Sequence, residues 1–330
     1  MWPVAGKRRP PLRRPERVVS REQLELATGF LALVRGALEG GADLPEALRR
    51  GAGGLPMPAR ARVSAIARRL EGEYAEDEWG FDEEFVSATQ PLLDFLYDRW
   101  WRVQSTGLEN VPADGRVLLA GNHAGILPWD GVMMSTAIRR HHTRPRPPRF
   151  LVLDWAFELP YVSVFMRKVG GVVASPHNAL RLLEEDQLVT VFPEGVKGAG
   201  KPFGERYRLE RFGRGGFVEV ALRAGAPIVP VAIVGSEEIY PKIGEAPLLA
   251  RLIHAPYFPL TPTFPWLGPL GVVPLPSKWR IEFCRPIDTS SYGPEAAEDR
   301  GLVLELSERV RDTIQQKLYE NLVKRGPTFL

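Results

Sequence analysis

The sequence predicts an α/β domain with a mostly parallel or mixed central sheet flanked by helices, preceded by an N-terminal helical region. From about residue 102, short apolar runs alternate with helical segments, as in strands joined by crossover helices. These runs are continuously apolar, which is typical of a sheet covered on both faces. The predicted domains are therefore a basic arm (1–21), a helical region (22–98) and an α/β domain (99–330).

The N-terminal arm is strongly basic. Seven Lys or Arg residues and one acid lie between Lys7 and Arg21, with prolines interspersed, so the arm is predicted to be disordered. It is interpreted either as a solvated tail or as a segment attracted to anionic lipid. The helical region then carries apolar residues at helical spacing around 24–34, 59–74 and 85–101.

Six strands are predicted in the α/β domain, at 116–120, 150–153, 171–174, 188–192, 228–234 and 279–284. Helices are predicted over 129–140, around 180–183 and over 294–324. Residues 241–276 differ because they are rich in proline and aromatic residues, and their prolines exclude a central strand or helix. This segment is interpreted either as a loop folded over the core or as a lipid-facing or acyl-chain-lining flap.

Composition excludes several classes of function. One cysteine, Cys284, excludes an intrachain disulfide framework and indicates a reducing compartment. A net charge of +3 gives no reason to expect nucleic acid as a partner. No secretory signal is recognised, and no apolar run is long enough to span a membrane. No metal site is predicted either, because His141, His142, His177 and His254 have no metal-ligand spacing around them.

Two candidate reactive side chains directly follow predicted strands. His123 comes after the strand ending near Ala120, and Glu194 comes after the strand ending at Phe192. Reactive groups of an open parallel sheet collect outside the carboxyl ends of its strands. If these two strands are parallel, His123 and Glu194 emerge at the same edge of the sheet.

Asp130 is the candidate partner of His123. On one continuous helix the two residues would lie about 10.5 Å apart along the axis, too far for a hydrogen bond. Gly125 and Pro128 indicate a looped connection instead, with Pro128 close to the start of a helix and Asp130 in its first turn. A loop over 124–127 can fold His123 back onto the carboxylate, which gives an oriented general base without a protein nucleophile.

Three blocks occur in order: Asn122-His123…Asp130, then Phe192-Pro193-Glu194-Gly195, then Val229-Pro230-Val231. Together they resemble the glycerol-phosphate and lysophosphatidic acid acyltransferase family over about residues 98–290. The resemblance implies that His123 is the base on the acceptor hydroxyl, that Asp130 orients it, and that Glu194 and Gly195 hold the acceptor. It also implies acyl-CoA or acyl-carrier protein as co-substrate, with no cofactor. Peripheral binding at the cytoplasmic face of the membrane is predicted from the basic arm, the Trp100–Trp101 helix end and the 256–276 segment.

The sequence departs from the family pattern at two points. Six residues separate His123 from Asp130 where the family has four, and residues 170–175 lack the arginine that binds acceptor phosphate in the family. Replacement candidates follow Glu194, chiefly Lys197, Arg206 and Arg211, with Lys201, Arg208 and Arg214 as further cations; a solvated basic loop is the alternative. The predicted acceptor is 1-acylglycerol 3-phosphate or another lysophospholipid. A neutral lipid alcohol and a non-catalytic lipid-binding protein are the alternatives.

Overall fold

The computed structural model describes residues 21–72, 76–125, 127–158, 162–252 and 257–329 and divides the chain into two units, Met1–Ala75 and Glu76–Leu330. The basic arm, apart from Arg21, lies outside the described residues. The first unit holds α1 (Arg21–Glu39), α2 (Leu44–Gly51) and α3 (Met57–Leu70). Helix α2 begins after Asp43, whose side chain accepts a hydrogen bond from the backbone N–H of Glu46 at 2.9 Å.

The second unit is built on a seven-stranded sheet. Its strands are β1 (Gln104–Thr106), β2 (Val117–Gly121), β3 (Arg149–Val152), β4 (Gly171–Val173), β5 (Leu188–Val191), β6 (Ile228–Val234) and β9 (Arg280–Phe283). They follow the order β1–β9–β6–β2–β5–β3–β4, and every neighbouring pair is parallel except β6 with β9. Two short strands, β7 (Gly244–Glu245) and β8 (Pro259–Leu260), form a separate antiparallel ladder. The predicted α/β class with a mostly parallel or mixed sheet is confirmed.

Helices surround this sheet. They are α4 (Glu83–Phe95), α5 (Trp129–His141), α6 (Trp155–Glu158), α7 (Val162–Lys168), α8 (Pro176–Glu184), α9 (Gly195–Ala199), α10 (Gly216–Ala224), α11 (Pro247–Leu252) and α12 (Arg300–Arg325). Two apolar cores form because side chains of a strand alternate between faces. In β6, Ile228 and Val234 belong to the core that contains residues of α8, α10 and α12, whereas Val229 and Val231 belong to the core that contains residues of α5.

The predicted boundary at 98/99 falls inside the second unit. Helix α4 continues as a π-helical turn over Leu96–Trp100, and Leu96 and Tyr97 are buried in a core that also contains sheet residues. The fully buried Trp101 stacks on Trp279, with ring centroids 4.9 Å apart. The aromatic end of this helix is thus part of the α/β core, because burying such large rings is strongly favourable.

Residues 241–276 are less irregular than the proline content predicts. Helix α11 forms there because Pro247 occupies its first position, where a missing N–H costs nothing. Strand β8 begins at Pro259, in a two-stranded ladder outside the central sheet. The prolines exclude this segment from the central sheet, as predicted, but not from local helix and strand structure.

Candidate active site

The loop between β2 and α5 brings His123 onto Asp130. Nδ1 of His123 lies 2.6 Å from Oδ2 of Asp130, and the same oxygen accepts the backbone N–H of Ala124 at 2.9 Å. Oδ1 of Asp130 accepts the N–H of Gly131 at 2.8 Å. Asp130 is fully buried in the first turn of α5, at the positive end of the helix dipole.

The local sequence explains why the chain loops back. Asn122 is buried and clamps β6, because its side chain accepts the N–H of Ile233 at 2.8 Å and donates to the carbonyl of the same residue at 2.9 Å. Gly125 adopts a left-handed φ of 74°, a conformation that suits glycine. Pro128 then precedes the first residue of α5. The turn therefore starts from a fixed strand end and finishes in a fixed helix start.

The surroundings of His123 make it more basic. Burial acts to lower its pKa, but the charge and hydrogen bond of Asp130, with a contribution from Glu194, raise the pKa above the ordinary 6.5 overall. Its ring stacks on Phe192, with centroids 4.5 Å apart. Because Nδ1 is engaged by Asp130, Nε2 is the nitrogen that can take a proton from a substrate. This geometry is that of an oriented general base.

Glu194 is buried, and its carboxylate is held by the protein itself. Oε1 lies 3.4 Å from the backbone N of His123, while Oε2 accepts the N–H of Glu210 at 2.8 Å and the ammonium of Lys201 at 3.1 Å. Glu194 therefore connects the loop between β2 and α5, here called the His123 loop, to the segment after β5. Gly195 follows with a left-handed φ of 58° and opens α9.

A second carboxylate, Glu237, shares the ammonium of Lys201. Its Oε1 accepts the backbone N–H of Tyr207 at 3.1 Å and lies 3.5 Å from the Lys201 Nζ. Burial raises the pKa of Glu237 to about 7, although Lys201 and the Tyr207 N–H oppose this and only Glu194 adds to it. Glu237 was missed at the level of sequence, even though it follows β6 as Glu194 follows β5.

The basic residues predicted to bind phosphate differ in whether they line a cavity. Arg206 lines a cavity next to the His123 loop, with its guanidinium 4.3 Å from the ring of Phe203. Lys197 and Arg211 are exposed and are not among the cavity residues of the described chain. In the region where the family has its phosphate-binding arginine, β4 leads to Ser175, which instead caps α8 by accepting the N–H of Asn178 at 3.0 Å.

The cavity has a volume of about 270 Å³ and a mainly apolar wall. Ala124, Gly125 and Leu127 of the His123 loop form one side of the cavity. The proline-rich segment forms another, through Tyr257, Phe258, Pro259, Thr261, Phe264, Gly271 and Val272. Lys201, Arg206, Glu237 and Lys242 contribute the charged groups. The proline-rich segment therefore lines the cavity.

Other candidate groups do not form sites. Within the described part of the chain, no cluster of three or more His, Cys, Asp or Glu residues could hold a metal. Cys284 is buried, and burial together with the Glu282 charge raises its pKa to about 12, so it is not a nucleophile. His142 is held by the carbonyls of Arg144 and Val111. His254 lies outside the described residues.

The α/β sheet thus carries a hydrogen-bonded His–Asp pair next to an apolar cavity, and comparison with known proteins gives the family. The acyltransferase family model matches residues 102–234. An uncharacterized protein of Mycobacterium tuberculosis is 52% identical over 272 residues, covering 81% of this chain and 76% of that protein. The chain belongs to the acyltransferase family related to the glycerol-phosphate and lysophospholipid acyltransferases, and the predicted resemblance is confirmed.

The chain is also similar to two more distant proteins. Phytyl ester synthase 2 of Arabidopsis thaliana is 28% identical over 272 residues, which is 73% of this chain and 37% of that protein. The 1-acyl-sn-glycerophosphate acyltransferase of Thermotoga maritima is a similar solved structure, with a TM-score of 0.46 and 17% identity over 91% of this chain and 95% of that one. As a family member, the protein uses an acyl donor and a lipid acceptor.

No helix among the described residues is long and apolar enough to cross a membrane.

Proposed function

We propose that the protein transfers a fatty acyl group from the thioester of acyl-CoA or acyl-carrier protein to a hydroxyl of a lipid alcohol. The observation that carries this proposal is the 2.6 Å contact of His123 Nδ1 with the buried Asp130 carboxylate. Nε2 of His123 takes the hydroxyl proton while the oxygen attacks the thioester carbonyl. The C–S bond then breaks, and the thiolate receives the proton from the imidazolium.

The cavity supports this chemistry because it offers an apolar site next to the base. The aromatic side chains of Tyr257, Phe258 and Phe264 form a wall that suits a fatty chain. Ala124 and Gly125 of the His123 loop line the same cavity. A chain lying there would have its reactive end near the His123 loop. The segment over 257–272 then has the role of an acyl-chain-lining flap.

The charges around the cavity favour an uncharged acceptor over 1-acylglycerol 3-phosphate. Lys201 is already shared between Glu194 and Glu237, and Lys242 lies 3.1 Å from the carboxylate of Glu245. Arg206 is the cavity cation for which the described residues provide no ion pair. One exposed arginine is a weak phosphate site, since recognition of phosphate usually draws on several charge-assisted hydrogen bonds.

The test is an acceptor screen with the full chain and one labelled acyl group, presented as acyl-CoA and as acyl-carrier protein. The acceptors are 1-acylglycerol 3-phosphate, a monoacylglycerol, a diacylglycerol and a long-chain alcohol. Transfer to neutral acceptors that persists in Arg206→Ala supports the proposal. Transfer only to the phosphate-bearing acceptor, lost in Arg206→Ala, would restore the lysophospholipid assignment.

Membrane binding is the second part of the proposal. An apolar rim of exposed side chains lies beside the cavity: Trp266, Leu267, Leu270, Val272 and Val273. Val272 belongs both to this rim and to the cavity wall, so a lipid entering from a bilayer reaches the cavity directly. Trp and Leu at such a site suit the interfacial region of a membrane.

Vesicle sedimentation tests the rim. Trp266→Ser with Leu270→Ser should weaken binding to phospholipid vesicles by roughly 10-fold or more, because two large apolar side chains no longer enter the bilayer. Val323→Ser is the matched control, since Val323 is 85% exposed on α12 and outside the rim. Equal binding by both variants and the unaltered chain would show that the rim does not contribute to membrane binding.

A further inference from the structure

Glu237 is a buried carboxylate in the cavity wall with one oxygen left for a ligand. Its side chain is 6% exposed, and Oε1 is engaged by the Tyr207 N–H and by Lys201. No described residue hydrogen-bonds to Oε2. A carboxylate oxygen that faces a mainly apolar cavity is stabilised by a hydrogen-bond donor.

Three donors of the cavity wall are engaged elsewhere in the protein. The ammonium of Lys242 is taken by the carbonyl of Gly200 at 2.6 Å and by Glu245 at 3.1 Å. The Tyr257 hydroxyl donates to the carbonyl of Ala199 at 2.9 Å, and the Tyr240 hydroxyl donates to that of Val272 at 2.6 Å. Arg206 and Ser236 also line the cavity, but Arg206 donates to the carbonyl of Phe203 and the Ser236 hydroxyl has no hydrogen-bond partner. Since neither donates to Oε2 of Glu237, this oxygen is open to a bound molecule or to solvent.

We propose that Oε2 of Glu237 binds a second, non-reacting hydroxyl of the acceptor, so that the acceptor is an uncharged lipid with at least two free hydroxyls, such as a monoacylglycerol. The inference rests on the proposed acyltransferase function and deepens it. His123 takes the proton of the reacting hydroxyl, and Glu237 holds a neighbouring one. No covalent change occurs at Glu237.

The location of Glu237 in the sheet agrees with this role. Strands β6, β2 and β5 are adjacent and parallel, and Glu237, His123 and Glu194 follow their respective carboxyl ends. The base and Glu237 therefore emerge at one edge of the sheet, where ligands of open α/β sheets bind. Lys201 bridges Glu237 and Glu194, and Glu194 contacts the backbone of His123. The acceptor-binding carboxylate and the base are held by one network.

The proposed site also discriminates by charge. A phosphate on the acceptor would meet Glu237 while Lys201 is already shared by two carboxylates. A hydroxyl meets no such repulsion, and it can donate to the carboxylate or accept from the carboxylic acid. The pKa of about 7 means that both forms are populated near neutrality.

The experiment compares a 1-monoacylglycerol with a monohydric alcohol of matched chain length, using the full chain, Glu237→Gln and Glu237→Ala. We expect Glu237→Ala to lose roughly 10- to 100-fold more in kcat/KM on the monoacylglycerol than on the monohydric alcohol, the range for a hydrogen bond to a charged group. The ratio of the two losses is the readout, because any disturbance of the Lys201 network affects both alcohols alike. Glu237→Gln should be intermediate on the monoacylglycerol and should gain turnover on 1-acylglycerol 3-phosphate.

Glu205→Gln is the charge-matched control, because Glu205 is an exposed carboxylate in the neighbouring turn Phe203–Glu205. Equal losses on both alcohols, or no loss on either, would overturn the role of Glu237 while leaving the acyltransferase function intact. Absence of transfer by the unaltered chain to every acceptor from both donors would overturn the proposed function and this inference with it. Because Glu237→Gln keeps size and an amide oxygen, a folding failure of Glu237→Ala does not remove the test.

Discussion

Replacing Asp130 with Asn separates the charge of this residue from its shape. Oδ2 accepts two hydrogen bonds, from His123 Nδ1 and Ala124 N, whereas Oδ1 accepts one, from Gly131 N. An asparagine keeps more hydrogen bonds if its oxygen takes the Oδ2 position and its NH₂ group faces Gly131. The variant then retains the orientation of the imidazole, loses the negative charge, and leaves one N–H without an acceptor at a cost of about 1–3 kcal/mol of stability.

The magnitude of the activity loss follows from the lost charge. Two unit charges about 4 Å apart interact by about 4 kcal/mol at the effective dielectric constant of a protein surface, and solvent screening reduces this. Stabilisation of the His123 imidazolium should therefore fall by about 1.4–4 kcal/mol, which corresponds to a loss of roughly 10- to 10³-fold in kcat/KM. His123→Ala removes the base altogether and should cost roughly 10²- to 10⁴-fold.

The assay is release of the donor thiol with the best acceptor, followed from pH 5 to 9. His123 acts as a base only when neutral, so its raised pKa places the acid limb of kcat/KM above pH 6.5. Asp130→Asn should move that limb to lower pH, because the carboxylate that raises the pKa of His123 is gone. His177→Ala is the control, as His177 is exposed on α8. An unmoved limb in a folded Asp130→Asn enzyme, or full activity of His123→Ala, would refute the reasoning.

Three other predictions concern the network around Glu194. Lys201→Met should lower the free energy of unfolding by about 3–5 kcal/mol, because it leaves two buried carboxylates without their ammonium, whereas Lys197→Met at an exposed position should change it by less than about 0.5 kcal/mol in a urea titration. Glu237 has a pKa of about 7 when folded against an ordinary 4.5, so its contribution to stability is complete below pH 4.5 and is lost as pH rises through 7. Glu237→Gln should therefore gain up to about 3 kcal/mol relative to the unaltered chain between pH 4.5 and 8, and parallel stability curves would contradict the raised pKa. Gly198→Ala should reduce both stability and turnover, since a Cβ there would clash with Cβ of Glu194. Gly204→Ala meets nothing within 4 Å, so it should match the unaltered chain in thermal melts and rate assays of the two variants.

Most of the sheet could be predicted because its strands are buried on both faces and read as continuous apolar runs. The predicted strand 228–234 coincides with β6, and 188–192 overlaps β5 (Leu188–Val191). Strand β1 was not predicted. Its three residues, Gln104 to Thr106, are polar and lie at the edge of the sheet, so no hydrophobic pattern marks them. Their pairing with β9 depends on contacts about 176 residues away in sequence.

The positions of the functional residues could be predicted better than their partners. The rule that reactive groups follow the carboxyl ends of parallel strands located His123 and Glu194. Applied to the strand ending at Val234, the same rule would have located Glu237. What the sequence could not show is that Lys201 is shared by Glu194 and Glu237, because that contact depends on how the segment after Glu194 folds back over the strand ends. Of the cations predicted to bind phosphate, Lys201 is therefore paired with two carboxylates, whereas Arg206 has no ion pair among the described residues.

Lys201 and Asp130 shift the pKa of His123 in opposite directions, and the pH dependence of the two variants can test this. The Lys201 cation lowers the pKa of His123, whereas Asp130 and Glu194 raise it. Lys201→Met removes the cation and leaves the Glu194 carboxylate uncompensated beside the His123 backbone, so the acid limb of kcat/KM should move to higher pH. Asp130→Asn should move it to lower pH. A merely structural role of Lys201 would lower the rate at every pH without moving the limb, so opposite displacements in the two variants require that both charges act on the same imidazole.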